Sequence, residues 1–160
     1  MADAGMEESS ASAAVADTTG RVLGYLGLLP FVGALLAMLV LPLALRQFAL
    51  LGMMTYGAVV LSFIGAVHWG WTLAMRPERP GRRLAISVLP ALVGWAAVPA
   101  TALVPTFMGI GVLMAAFVLW YAYERLGDAW TEFPTWYRAL RTQLTAGVLV
   151  LLAIALVIAG

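Results

Sequence analysis

Residues 56–72 read Tyr-Gly-Ala-Val-Val-Leu-Ser-Phe-Ile-Gly-Ala-Val-His-Trp-Gly-Trp-Thr, the middle of a stretch from 48 to 75 without a single Asp, Glu, Lys or Arg. A helix needs ~20 apolar residues to cross a ~30 Å hydrocarbon core, and this stretch exceeds that. Similar stretches flank it, giving five expected spans near 21–45, 48–75, 84–104, 106–123 and 136–159. The whole composition agrees. Hydrophobic residues are 63% of the 160 and charged residues 11%, where a soluble domain carries about 25% charged. Mean hydropathy is +0.96. A chain of this size has no interior large enough to hide that much apolar surface, so a soluble domain is excluded. The chain has no Cys, which removes disulfides, thiol nucleophiles and thiolate-held metal clusters. A formal charge of +1 gives no basic field for nucleic acid.

Residues 1–20 form a zone of their own, with Asp3, Glu7, Glu8 and Asp17 among Ala, Ser, Thr and Gly. So few apolar side chains read as a disordered acidic tail, which leaves 21–160 as a five-helix transmembrane domain. The expected connections are short: Arg46-Gln47 joins the first pair of spans, residues 76–83 the second and Pro105-Thr106 the third. Turns this tight make neighbours antiparallel, in an all-α up-down bundle. Orientation follows from Arg, because there is no Lys. Arg21, Arg76, Arg79, Arg82, Arg83, Arg125, Arg138 and Arg141 fall on one side and only Arg46 on the other. Positively charged loops stay cytoplasmic. The N-terminus is therefore expected inside, and the C-terminus outside, a cell inner membrane.

Helix faces can be assigned from spacing. In the second span Ala58, Ser62, Ala66 and Gly70 recur every four residues, a small-residue stripe of the kind that lets helices approach. On this reading Tyr56, Val60, Phe63 and Val67 face lipid, and Gly57, Leu61, Gly65, His68 and Thr72 form the arc that points into the bundle. The third span shows Ser87, Ala91, Gly94, Ala97 and Thr101 on one face, and Gly111 with Ala115 makes a smaller stripe on the fourth. The fifth span is almost purely Leu, Val, Ala and Ile from 147 to 158 and is expected at the periphery, against lipid. Met54, Gly57 and Phe63 align with Met108, Gly111 and Phe117 at a constant offset of 54. In so Ala- and Leu-rich a chain, chance explains this more readily than duplication.

His68 is the one histidine. An ionisable residue within a span needs a partner and is a functional hypothesis by default. Eight residues before Arg76, it lies about 12 Å inside the boundary. At that depth Pro30 and Pro90 strip hydrogen bonds from the carbonyls of Leu26 and Ile86, and Ser87 is near. Two readings stand side by side. His68 with Trp69, Gly65, Pro30, Pro90 and Ser87 either binds a lipid or quinone head group, or simply fixes helix packing through those carbonyls; the second is favoured. Trp120, Trp136, Tyr137, Arg138 and Arg141 belong to an aromatic belt and read as interface anchors. Glu124 and Asp128, spaced i,i+4 beside Arg125, read as a solvated helix end. No metal-binding or nucleotide-binding motif is present, no cofactor is implied, and an enzyme is not expected. The leading functional expectation is a structural or assembly role among membrane lipids with a membrane protein as partner. A small-molecule site around His68 is the alternative.

Five motifs come in order: Leu26-Gly27-Leu28-Leu29-Pro30-Phe31, Tyr56-Gly57-Ala58-Val59-Val60-Leu61-Ser62-Phe63, Gly65-Ala66-Val67-His68-Trp69-Gly70, Ser87-Val88-Leu89-Pro90 and Trp136-Tyr137-Arg138-Ala139-Leu140-Arg141. This series resembles the membrane family named domain of unknown function 3429, the transmembrane protein 69-like proteins, over about 21–152. The resemblance implies a five-helix integral protein of a bacterial inner membrane or, alternatively, the mitochondrial inner membrane. It implies no activity.

Overall fold

The computed structural model describes residues 2–77, 80–127 and 129–159; the side chains of 2–13 and 129 lie outside that description, as does Asp128. Among the described residues seven helices follow in order: α1 Ala2–Leu26, α2 Leu29–Val40, α3 Leu43–Met75, α4 Pro80–Ala100, α5 Thr106–Leu126, α6 Ala129–Glu132 and α7 Thr135–Ala159. Five segments of the described residues are long and apolar enough to cross a membrane: Ala14–Val40, Leu43–Met75, Pro80–Ala100, Thr106–Leu126 and Thr135–Ala159. Among the described residues there is no strand. The chain is an all-α polytopic membrane protein.

Helix α1 starts well before Arg21, so the expected boundary at residue 20 is not a structural one. The segment is rich in Ala, the strongest helix former, and the Thr18 hydroxyl turns back on the Ala14 carbonyl at 2.9 Å. The first crossing then breaks at Gly27-Leu28. Pro30 cannot donate to Leu26, and the chain tightens, with Leu28 N–H donating to the Tyr25 carbonyl at 3.0 Å. The carbonyl of Gly27 accepts the Tyr56 hydroxyl at 3.0 Å. The next turn falls at Leu41-Pro42, ahead of the expected Arg46-Gln47. Leu41 is held extended (ψ 150°), the conformation a following proline imposes. Arg46 sits inside α3, and its Nε caps the Leu41 carbonyl at 3.2 Å.

Packing closes the bundle. Helix α3 lies against α2 and α4, α5 against α4 and α7, and α7 returns to α1 and α2. The last span is therefore not peripheral: Val148, Leu152 and Ala155 are buried in a core with Phe31, Met53, Met54, Leu61 and Leu113. On α3 the arc Gly57, Leu61, Gly65, His68 and Thr72 is buried as expected. The small stripe is not. Each i+4 step advances about 40° round a helix, so the stripe rotates by about 120° from Ala58 to Gly70. It meets α4 at Ala58 and ends exposed at Ala66 and Gly70, with Ser62 half-buried between. Tyr56, Val60 and Val67 are half-buried rather than lipid-facing, whereas Phe63 is 70% exposed.

On α4 the expected face holds, with Ser87, Gly94 and Ala97 buried. On α5 it shifts: Gly111 and Ala115 are exposed, and the close approach belongs to Gly109, where a Cβ would lie 3.2 Å from the Ala97 carbonyl oxygen. The aligned pairs of the supposed repeat have opposite burial. Met54, Gly57 and Phe117 are inside, and Met108, Gly111 and Phe63 are outside.

Two glycines set the α3–α4 distance. A Cβ on Gly65 would stand 2.5 Å from the Ser87 carbonyl oxygen, and one on Gly94 would stand 3.0 Å from Ala58 Cα. Backbone cannot yield as a side-chain tip can. Gly65→Ala should therefore lower stability by about 1–3 kcal/mol, whereas Gly111→Ala, inside α5 with nothing within 4 Å, should leave it unchanged or raise it by up to about 1 kcal/mol. Thermal unfolding of the two variants in detergent reads the contrast, and equal effects would contradict the α3–α4 seam.

Candidate functional site

Three helix faces converge on one carboxylate. On α5 the buried positions Leu113, Phe117, Trp120 and Glu124 recur at steps of four and three, the spacing of a single core-facing stripe. Glu124 is the polar end of that stripe and is only 2% exposed. On α7 Arg141 and Thr145 begin the stripe that continues as Val148, Leu152 and Ala155. From α3 comes His68, 3% exposed.

Glu124 takes three donors. Its Oε2 accepts Arg141 Nε at 2.8 Å. Its Oε1 accepts the indole N–H of Trp120, one turn back, at 3.1 Å. His68 Nε2 stands 3.2 Å from the same oxygen, so the tautomer with its proton on Nε2 donates there. Arg141 also gives Nη1 to the Thr145 hydroxyl at 2.7 Å, and that hydroxyl donates to the Arg141 carbonyl at 2.8 Å. Rings enclose the imidazole. Trp120 meets it edge-on at 5.2 Å and Phe133 at 6.0 Å between centroids. Phe133 lies just beyond α6, which packs against α5, and its ring reaches back to the imidazole. Among the described residues no three of His, Cys, Asp and Glu converge as a metal site would require.

Beside this cluster a cleft of about 560 Å³ opens between α1, α3 and α7. Tyr56, Val60 and Val67 form its α3 wall and Leu140, Leu144 and Val148 its α7 wall; Gly20, Gly24 and Gly27 line the α1 side. The glycines let α1 come close: a Cβ on Gly24 would lie 2.9 Å from Leu140 Cδ2, and one on Gly20 2.8 Å from Trp136 Cη2. Arg141 belongs to both places. It lines the cleft, and its Nη2 is buried with no hydrogen-bond partner among the described residues.

The expected site residues thus part company. His68 is central, but its bond goes to α5 rather than to proline-freed carbonyls. Gly65, Ser87 and Pro90 form the α3–α4 seam, where Ser87 Oγ donates to the Leu84 carbonyl at 2.7 Å. Pro30 and Trp69 are exposed, Trp69 by 42%. Of the expected interface anchors, Trp120 and Arg141 are core residues (6% and 4% exposed); Trp136, Tyr137 and Arg138 are half-buried. Glu124 is not a solvated helix end. The missed signal was the step pattern of α5 and α7, which places Glu124 and Arg141 on apolar stripes.

Breaking a buried ion pair from one side leaves an uncompensated charge and costs about 3–5 kcal/mol, while an apolar replacement of both partners is often close to neutral. Glu124→Ala and Arg141→Ala should each destabilise the detergent-solubilised protein by that amount, and Glu124→Leu with Arg141→Met should restore most of it. His68→Ala should cost less, about 1–3 kcal/mol, since Trp120 and Arg141 still satisfy the carboxylate. Thermal unfolding of the four variants gives the ranking; a double variant as unstable as the singles would contradict the pairing.

No solved structure matches the chain. Transmembrane protein 69 of Xenopus tropicalis is 35% identical over 130 residues, covering 77% of this chain and 47% of that protein. Transmembrane protein 69 of Mus musculus is 31% identical over 124 residues, covering 72% of this chain and 46% of that protein. The chain spans about half the length of these curated relatives. The family described as protein of unknown function (DUF3429) matches residues 16–157, nearly the whole bundle with every residue of the His68–Glu124–Arg141 cluster, and the chain belongs to that family.

Proposed function

We propose that the protein is a non-catalytic holder of a membrane amphiphile, which it takes into the cleft between α1, α3 and α7. One observation carries this reading: Arg141 lines an otherwise apolar cavity, and one nitrogen of its guanidinium, Nη2, is buried beneath that lining without an acceptor among the described residues. A buried donor without an acceptor costs about 1–3 kcal/mol, and a ligand that supplies the acceptor recovers it. The volume lies within the ~300–1,000 Å³ of small-molecule sites, which combine apolar walls with few polar groups. The acid–base groups support binding rather than catalysis, because both Glu124 oxygens are already engaged by protein donors.

A second reading, assembly with a membrane partner, draws on the outer surface. Gly33, Gly52, Gly70 and Gly111 are exposed with nothing within 4 Å, which leaves small-residue positions open to another helix. Native mass spectrometry of the protein gently extracted from its own membranes separates the two. Extra mass of small-molecule size that is lost in Val67→Trp, a variant that fills the cleft, supports the amphiphile. A bare chain would overturn it, and one carrying only another polypeptide would move the assignment to assembly.

The same reading puts the chain in an inner membrane with its N-terminus in the cytoplasm. Arg141 is neutralised within the bundle, so seven arginines against one support that orientation. A periplasm-active reporter fused after Gly160 should be active, and Cys introduced at Gly81 should resist an impermeant thiol reagent added outside. Labelling at position 81 would reverse the topology.

A further inference from the structure

We infer that the ligand of this cleft carries an uncharged carbonyl as its head group, a quinone or an ester, and that the carbonyl oxygen accepts a hydrogen bond from Nη2 of Arg141. The inference rests on the amphiphile reading and adds the chemistry of the head group.

Charge balance decides it. Arg141 is a carboxylate binder by nature, but its charge is already matched by Glu124 at 2.8 Å. Glu124 and Arg141 cancel each other as an ion pair. A second anion would leave a net negative charge in a low-dielectric interior, where uncompensated charge is most costly. A neutral carbonyl adds the missing acceptor and no charge. Arg141 has given one N–H from Nε to Glu124 and one from Nη1 to Thr145, so Nη2 is the nitrogen left without any partner among the described residues. The nitrogen is covered by neighbouring side chains, and a head group reaches it by parting them.

The position of Arg141 also sets the ligand's direction. Trp136 and Tyr137 line the cleft one turn before it, and Leu144 and Val148 follow along the same helix. From Trp136 to Val148 is about 18 Å of helix at 1.5 Å per residue. A head group at Arg141 thus lies toward the aromatic end of the span, and its tail runs along Leu144, Val148, Val60 and Phe31. This is the orientation of an amphiphile in one leaflet.

The test uses the intact protein in dodecyl maltoside, a detergent without a carbonyl, and three probes of similar hydrophobicity: decyl-ubiquinone, methyl palmitate and hexadecanesulfonate, which is permanently charged. Calorimetric titration should show a neutral probe binding at least about tenfold more tightly than the sulfonate. Arg141→Lys, which keeps the positive charge but not Nη2, should weaken that probe about ten- to a hundredfold, the range of a hydrogen bond to a charged donor. Binding of the quinone alone or the ester alone would name the source. A readout independent of folding in the variant is the infrared carbonyl band of 13C-labelled probe on the wild-type protein, which should move to lower frequency.

A sulfonate that binds as tightly as the neutral probes would overturn the head-group inference and leave the amphiphile reading standing. An unshifted carbonyl band, or unchanged affinity in a folded Arg141→Lys protein, would do the same. Failure of all three probes to bind would remove the amphiphile reading itself.

Discussion

A carboxylate that is 2% exposed inside a membrane bundle persists because donors from three helices meet it. Glu124 alone would be among the most costly groups to place there. With Arg141 Nε, Trp120 Nε1 and His68 Nε2 around it, the cost falls to that of a matched pair. The geometry is demanding. Each donor must arrive within hydrogen-bond reach, so the axial register of α3, α5 and α7 is fixed together. The apolar core below this level, with Leu61, Phe117 and Leu152, gives contact but little register, since smooth side chains pack at several offsets. The polar cluster supplies specificity and the glycine contacts at Gly65 and Gly94 supply proximity.

The cleft depends on the same cluster. Arg141 is held by Glu124 through Nε and lines the cleft together with Leu140 and Leu144. The break at Gly27-Leu28 turns α1 relative to α2, and the Tyr56 hydroxyl ties that break to α3 through the Gly27 carbonyl. A second tie joins α1 to α7 through Tyr25 and Gln143.

Much of the architecture was readable from the chain. Five apolar stretches predict the five candidate spans in order, because hydrocarbon thickness sets the least length a span can have, while the first turn falls at Leu41-Pro42 rather than at Arg46-Gln47. The buried arc through Gly57, Leu61, Gly65, His68 and Thr72 followed from helical spacing, as did the Ser87–Gly94–Ala97 face. The errors share a cause. Arg125 beside Glu124 suggests a solvated helix end, but consecutive residues are turned about 100° apart round a helix, and Arg125 is exposed where Glu124 is buried. Arg141 was counted as a headgroup anchor because charge near the end of a span normally sits there. Both inferences used position along the chain, whereas burial is decided by position around the helix. The cleft was beyond any single-helix argument, since it arises where three helices fail to fill the space between them.

One dimension of α3 has a consequence for the surrounding lipid. The helix holds 33 residues, and the part without charge, 48–75, measures about 42 Å at 1.5 Å per residue. A hydrocarbon core of about 30 Å cannot cover it upright. Lying wholly within such a core, it would need a tilt near 45°, well beyond the ~20° average for membrane helices. Smaller tilts leave its ends in the headgroup layers or make the adjoining leaflets swell around α3. Bilayer thickness thereby becomes a variable the bundle responds to: thicker, sterol- or long-chain-rich membranes relieve the mismatch, and thin ones lean α3 against its neighbours.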